Sequence, residues 1–145
     1  MFTSAQKQLV QESFVQIAAI ADDAAALFYR RLFELDPRLK LMFRGDMTEQ
    51  RKKLMQMLTA AVKGLDHLEQ LVPVVQDLGR RHAGYGVADA HYDMVGQALL
   101  WTFEKLLGRA FTPELRSAWT AVYTLLAMTM QEAAREVAAP VYARA

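Results

Sequence analysis

The chain contains no cysteine. That excludes disulfides, zinc knuckles, thiolate nucleophiles, iron–sulfur ligation by Cys and thioether attachment of a tetrapyrrole. It also fits a reducing compartment. Charge of one sign is missing too: 17 Lys and Arg stand against 16 Asp and Glu, for a formal net charge of +1. Such a balance leaves no electrostatic footprint for nucleic acid or an anionic membrane surface. The longest apolar run, around Ala118 to Met130, is broken by threonines and too short to span a bilayer. The segment Met1 to Lys7 lacks the basic, apolar and cleavage regions of a secretory signal, so the cytoplasm is the expected location. No phosphate loop, Gly-x-Gly-x-x-Gly, Gly-x-Ser-x-Gly or His-Glu-x-x-His motif occurs. A built-in flavin or NADH reductase is therefore not expected.

What is present is a chain of 145 residues, 53% hydrophobic, long enough for one domain (residues 1–145) with a core and a lined cavity. No stretch alternates with period two for long and no Asn-Gly or Asp-Gly hairpin signal appears, so the fold class is all-α. Thr3 with Gln6 reads as a capping box that opens a first helix. A second begins near Asp22-Asp23, and Asp36-Pro37 starts a short turn running to Phe43. Residues 44–47 form a loop before a helix from about Thr48 to Gly64. After a connection of about eight residues, Pro73 is expected to start a helix that Gly84 and Gly86 end. Asp89 is expected to cap a long helix that stops at Gly108. Thr112-Pro113-Glu114 opens the last one, and Pro140 leaves a tail expected to fray. Six main helices with short turns and unequal lengths suit steep crossings better than an up-and-down bundle.

One constellation carries chemistry. His82 follows Val75 and Leu78 at helical spacing, and the Gly84-Tyr85-Gly86 turn separates it from Tyr92 in the next helix. Taken alone, His82 is more often a core histidine or a cation at a helix C-terminus than a ligand. The functional reading is an axial ligand of haem iron through Nε2, with Nδ1–H held by the Leu78 carbonyl. His91 and His67 are poorer candidates. Upstream, Tyr29 places a phenol within an apolar stripe, and Gln50 shares a helix face with Leu54. A phenol and an amide converging on a diatomic ligand would slow its release by donating to its partial negative charge. Phe28, Leu32 and Leu58, then Leu78, Val95 and Leu99, are the expected apolar walls, with Tyr85 and Val87 supplied by the turn. The clusters Arg51-Lys52-Lys53 and Arg80-Arg81 read as solvated helix faces. A narrower expectation is that Lys53 and Arg81 meet the haem propionates.

The segments Leu27 to Phe33 with Pro37 and Phe43, Gln50-Arg51 to Leu54, Leu78 to His82, and His91 to Gly96 together resemble the bacterial single-domain globins and the globin domain of flavohaemoglobins. The resemblance runs over roughly residues 5–136. It implies a globin fold around haem b, with His82 as proximal ligand and Phe43 against the haem. It also implies that Tyr29, Gln50 and Leu54 line the distal pocket and that Tyr92 sits beside the proximal histidine. One position departs from the pattern. The flavohaemoglobin members carry a proximal Glu in the last helix, bonded to that histidine and tyrosine, whereas the corresponding place here is Ala134, with Glu132 and Glu136 two residues to either side. Two residues turn a helix by about 200°, so neither carboxylate substitutes without a register shift.

The expected function is reversible, high-affinity binding of dioxygen, with carbon monoxide and nitric oxide as further ligands. The alternative is a nitric oxide dioxygenase working with a separate reductase, which the missing Glu weakens. A sensor would need a transmitter partner, and a haem-free interaction module would show no Soret band.

Overall fold

A computed structural model describes residues 2–43 and 45–138 of the chain. It contains α1 (Ser4–Ala18), α2 (Ala21–Leu35), a 3-10 turn (Pro37–Met42), α3 (Met47–Gly64), α4 (Leu68–Gly84), α5 (Asp89–Leu107), a second 3-10 turn (Gly108–Ala110) and α6 (Pro113–Ala138). There is no strand among the described residues, as the lack of period-two alternation requires.

Local chemistry sets most of the boundaries. The capping box is reciprocal: the Gln6 amide donates to Thr3 Oγ1 at 3.1 Å, and the Thr3 amide to Gln6 Oε1 at 2.9 Å. Asp36 opens the 3-10 turn by accepting from the Arg38 amide at 3.0 Å. Asp46 caps α3 by accepting from the Thr48 amide at 2.9 Å, so the helix begins one residue earlier than expected. The Leu115 amide donates to Thr112 Oγ1 at 3.2 Å, which fixes the start of α6 at Pro113. Gly108 ends α5 at φ 54°, a left-handed conformation that favours glycine. Pro140 and Arg44 lie outside the described residues.

Two boundaries differ from the sequence expectation. Pro73 does not start α4 but lies within it, five residues after the helix begins at Leu68. The first turn forms on the His67 carbonyl, which accepts from the Gln70 and Leu71 amides at 3.0 Å each. The connection from Gly64 is therefore only residues 65–67, and Asp66 pins it to α1 by accepting from Lys7 at 3.0 Å and Gln11 at 3.1 Å. Asp89 likewise is not the cap of α5 but its first residue. The reciprocal arm of the cap comes from His91, whose Nδ1 accepts from the Ala88 amide at 2.9 Å.

In the packing, α4 lies chiefly on α6, α2 on α5, and α1 on α6, with α2 also bracing α3. The α4–α6 crossing is close at Gly79, where an added Cβ would overlap the Met130 backbone. Val10, Ile17 and Val122 are fully or almost fully buried, and each contributes on the order of 1.5–3 kcal/mol of apolar burial. The indole N–H of Trp119 donates to Ser13 Oγ at 2.9 Å, so the buried polar groups where α6 meets α1 satisfy each other. No helix among the described residues is long and apolar enough to cross a membrane.

Candidate functional site

Tyr29 lies on the buried face of α2, with 7% of its surface exposed. Gln50, four residues into α3, places its amide nitrogen 3.2 Å from the phenol oxygen and donates to it. The phenol's own hydrogen is thus not consumed by that bond. Phe28 and Phe43 meet the Tyr29 ring edge-on, with centroids at 4.9 and 5.5 Å, and Phe33 lies at 6.0 Å from Tyr29 and 5.6 Å from Phe43. Such contacts fix the ring plane and hence the direction of the hydroxyl. Burial raises the Tyr29 pKa, an effect that donation from Gln50 opposes. The phenol therefore stays a neutral donor. Phe33 was not singled out from the sequence, although its place one helical turn after Tyr29 puts it on the same face.

His82 is half-buried near the end of α4. Its Nδ1 is 2.8 Å from the Leu78 carbonyl one turn back, as the spacing predicts. A carbonyl only accepts, so Nδ1 carries the hydrogen and Nε2 keeps a lone pair. Burial lowers the His82 pKa; the Leu78 bond works in the other direction, and the Arg81 charge lowers it further. The imidazole is held neutral, the form that ligates metal. The turn folds back onto the helix end: the Val87 amide donates to the His82 carbonyl at 3.1 Å, and Gly86 takes φ 85°. Tyr85 is 68% exposed, with its ring 6.0 Å from that of His82.

Tyr92 is buried on α5, and its hydroxyl has no hydrogen-bond partner. Burial, and secondarily the charge of Asp89, raises its pKa. Glu132 is exposed and Glu136 lies 4.0 Å from Arg80, while Ala134 between them is half-buried. The orphaned hydroxyl matches the absence of a carboxylate at position 134. Tyr123, not foreseen from the sequence, donates to the Tyr92 backbone carbonyl and leaves the phenol free.

The hydrogen bonds and ring contacts of Tyr29 form one cluster with Gln50, Phe28, Phe33 and Phe43; those of His82 form another with Leu78, Val87 and Tyr85. Leu32, Leu58 and Leu99 are buried, while Leu54, Leu78, Val87 and Val95 are half-buried beside the core. Lys53 is exposed, and exposed Arg81 stands 3.4 Å from Asp77 one turn back. The Arg51-Lys52-Lys53 run is not uniformly solvated: Arg51 is turned inward, its side chain 27% exposed and 3.5 Å from Asp22. Two cavities lie away from these clusters. A void of about 20 Å³ sits between Leu58, Leu99 and Trp119, and a groove of about 620 Å³ runs beside Trp101 and Tyr123. Neither is lined by His82, Tyr29 or Gln50.

A neutral imidazole with a free Nε2, an apolar surround and a separate buried donor fit a haem held by a single axial bond. The Globin family model matches residues 26–130. Neuroglobin from Tetraodon nigroviridis is 31% identical over 142 residues, covering 88% of this chain and 89% of that protein. The flavohemoprotein of Bacillus subtilis is 35% identical over 105 residues, covering 69% of this chain but only 26% of its own length. Among solved structures, an engineered carbene transferase derived from a proposed nitric oxide dioxygenase of Rhodothermus marinus superposes with a TM-score of 0.85 at 26% identity, covering 95% of this chain and 96% of that one. A bacterial globin from Campylobacter jejuni gives 0.83 at 25% identity, covering 94% and 99%. Family model, relatives and fold agree: the chain belongs to the globin family of haem proteins.

Proposed function

We propose that residues 1–145 act as one cytoplasmic globin domain that holds haem b through His82 and binds dioxygen reversibly and with high affinity. Carbon monoxide and nitric oxide are ligands of the same site. Bound haem supplies an iron centre with a coordination position for a diatomic gas. The protein supplies the rest. His82 Nε2 would hold the iron, and the bond of Nδ1 to Leu78 sets the tautomer and the ring orientation. Phe28, Leu32, Phe43, Leu54 and Leu58 exclude water on the distal side, and Leu78, Val87, Val95 and Leu99 on the proximal side. Tyr92 stands beside His82. Tyr85 borders the turn, and Lys53 and Arg81 meet the propionates.

The observation that carries this reading is the Gln50-to-Tyr29 bond at 3.2 Å. An amide donating to the phenol oxygen polarises the O–H and leaves that hydrogen for the gas ligand. Two donors in series then oppose dissociation. The test is the ferrous–carbon monoxide absorption spectrum of the purified chain. A Soret band is expected in the parent and a weak or labile one in His82→Ala; no band after haem addition would reject the proposal.

A second reading, nitric oxide dioxygenation with a separate reductase, is supported by the likeness to the flavohemoprotein and to the proposed dioxygenase of Rhodothermus marinus. The unpartnered Tyr92 hydroxyl weighs against it, because among the described residues no carboxylate bonds that hydroxyl. Mixing the oxy form with nitric oxide and a reductant separates the two readings, since only a dioxygenase sustains turnover.

A further inference from the structure

A second polar pair joins the same two helices as Tyr29 and Gln50. Asp22 lies seven residues before Tyr29 in α2, two turns along the same face. Arg51 follows Gln50 in α3. The Arg51 Nε stands 3.5 Å from Asp22 Oδ1, and Nη2 lies 3.5 Å from Thr48 Oγ1. Thr48 in turn donates to Asp46 twice, from its amide at 2.9 Å and its hydroxyl at 2.8 Å. The guanidinium therefore extends the cap of α3 across to α2. Its buried Nε has no hydrogen-bond partner, so charge attraction to Asp22 rather than a full bond holds it there. A buried, under-satisfied donor is unfavourable and calls for a reason.

Position supplies one. The first turn is where a helix frays, since its amides have no partner within the helix. Gln50 is the fourth residue of α3, and its 3.2 Å bond to Tyr29 holds only while that turn keeps its place against α2.

We propose that Arg51 is a positioning residue for the distal pair: by clasping Asp22 it fixes the first turn of α3 on α2 and so sets the Gln50–Tyr29 bond. The inference rests on Tyr29 and Gln50 being the distal donors. It assigns Arg51 no contact with the gas.

The test uses the haem-loaded protein. Arg51→Met keeps the length and apolar stem of the side chain and removes the charge. It should speed dioxygen dissociation by about two- to five-fold, the range a partly exposed ion pair can transmit. It should also broaden or split the carbon monoxide stretching band. Asp22→Asn should do the same more weakly, and high salt should reproduce part of the effect in the parent but not in Arg51→Met. The deciding measurement is made on Gln50→Ala, where adding Arg51→Met should change neither the band nor the rate. A persisting effect there means Arg51 acts by another route and overturns the proposal. An unchanged Arg51→Met, beside a Gln50→Ala that shifts both readouts, refutes the clasp and leaves the distal reading intact. A silent Gln50→Ala refutes both. Should Arg51→Met not fold, Asp22→Asn, whose side chain is 82% exposed, carries the same tests.

Discussion

Replacing Tyr29 by Phe removes one oxygen from a buried site. The side chain is 7% exposed and three aromatic rings pack around it. The ring contacts survive the change; the donor does not. A hydrogen bond to a charged or partly charged acceptor contributes about 1.5–3 kcal/mol, and each 1.4 kcal/mol is a factor of ten. The dioxygen dissociation rate should therefore rise about 10- to 150-fold. The freed Gln50 amide, which loses its phenol acceptor, can donate directly and recover part of this, so the lower end is the firmer expectation. Association should change little, because affinity differences among variants of one site reside mostly in the off-rate. Stopped-flow displacement of dioxygen by carbon monoxide gives the rate, and Gln50→Ala with the double variant completes a cycle that apportions the network. A Tyr29→Phe off-rate within two-fold of the parent would show that the phenol does not face the ligand, and the distal assignment would fall.

Two further outcomes are expected. Tyr92→Phe removes a buried hydroxyl with no partner and should stabilise the protein, recovering up to about 1–3 kcal/mol, or about 2–4 °C in Tm per kcal/mol for a chain of this size; a clear loss of stability in thermal unfolding at matched haem would reveal a partner for the hydroxyl. Three carboxyl groups are held below the usual range: Asp36 chiefly by its bond to Arg38, Asp46 by the Thr48 amide, and Asp66 by Lys7. A folded pKa below the unfolded value gives stability that is present above about pH 4 and lost as pH falls through the folded values. Asp66→Asn should accordingly lower stability at neutral pH and flatten the acid limb in denaturant titrations, whereas an unchanged limb would show that the Lys7 contact does not form in solution.

What could be read directly from the sequence was local chemistry at fixed spacing. Thr3 with Gln6, Asp36 before Pro37, and Thr112 before Pro113 each bond a neighbouring amide, and each boundary follows from three or four residues. Pro73 misled because proline favours a first turn, while here the helix had already begun on the His67 carbonyl, with no side-chain cap to announce it. Asp89 misled because the capping acceptor came from an imidazole two residues later. In the site, the His82 bond to Leu78 is a four-residue step and was legible. The contact between Tyr29 and Gln50 spans 21 residues; helical spacing put each on an apolar face, but no local rule gave the bond between them. Arg51 was hidden inside a basic run, since successive residues on a helix point 100° apart and one of three adjacent cations can turn inward. The orphaned hydroxyl of Tyr92 was foreshadowed by alanine at 134, an inference that needed the last helix placed in register.

The missing side chain at position 79 has a mechanical consequence. Without a Cβ layer between them, α4 and α6 meet backbone to backbone near Met130, and the imidazole sits three residues beyond that weld. A pull along Nε2 of that ring would meet a helix seated directly on the backbone of its neighbour. Any give would lie in the ring itself and in the corner after it, where Gly86 takes φ 85°.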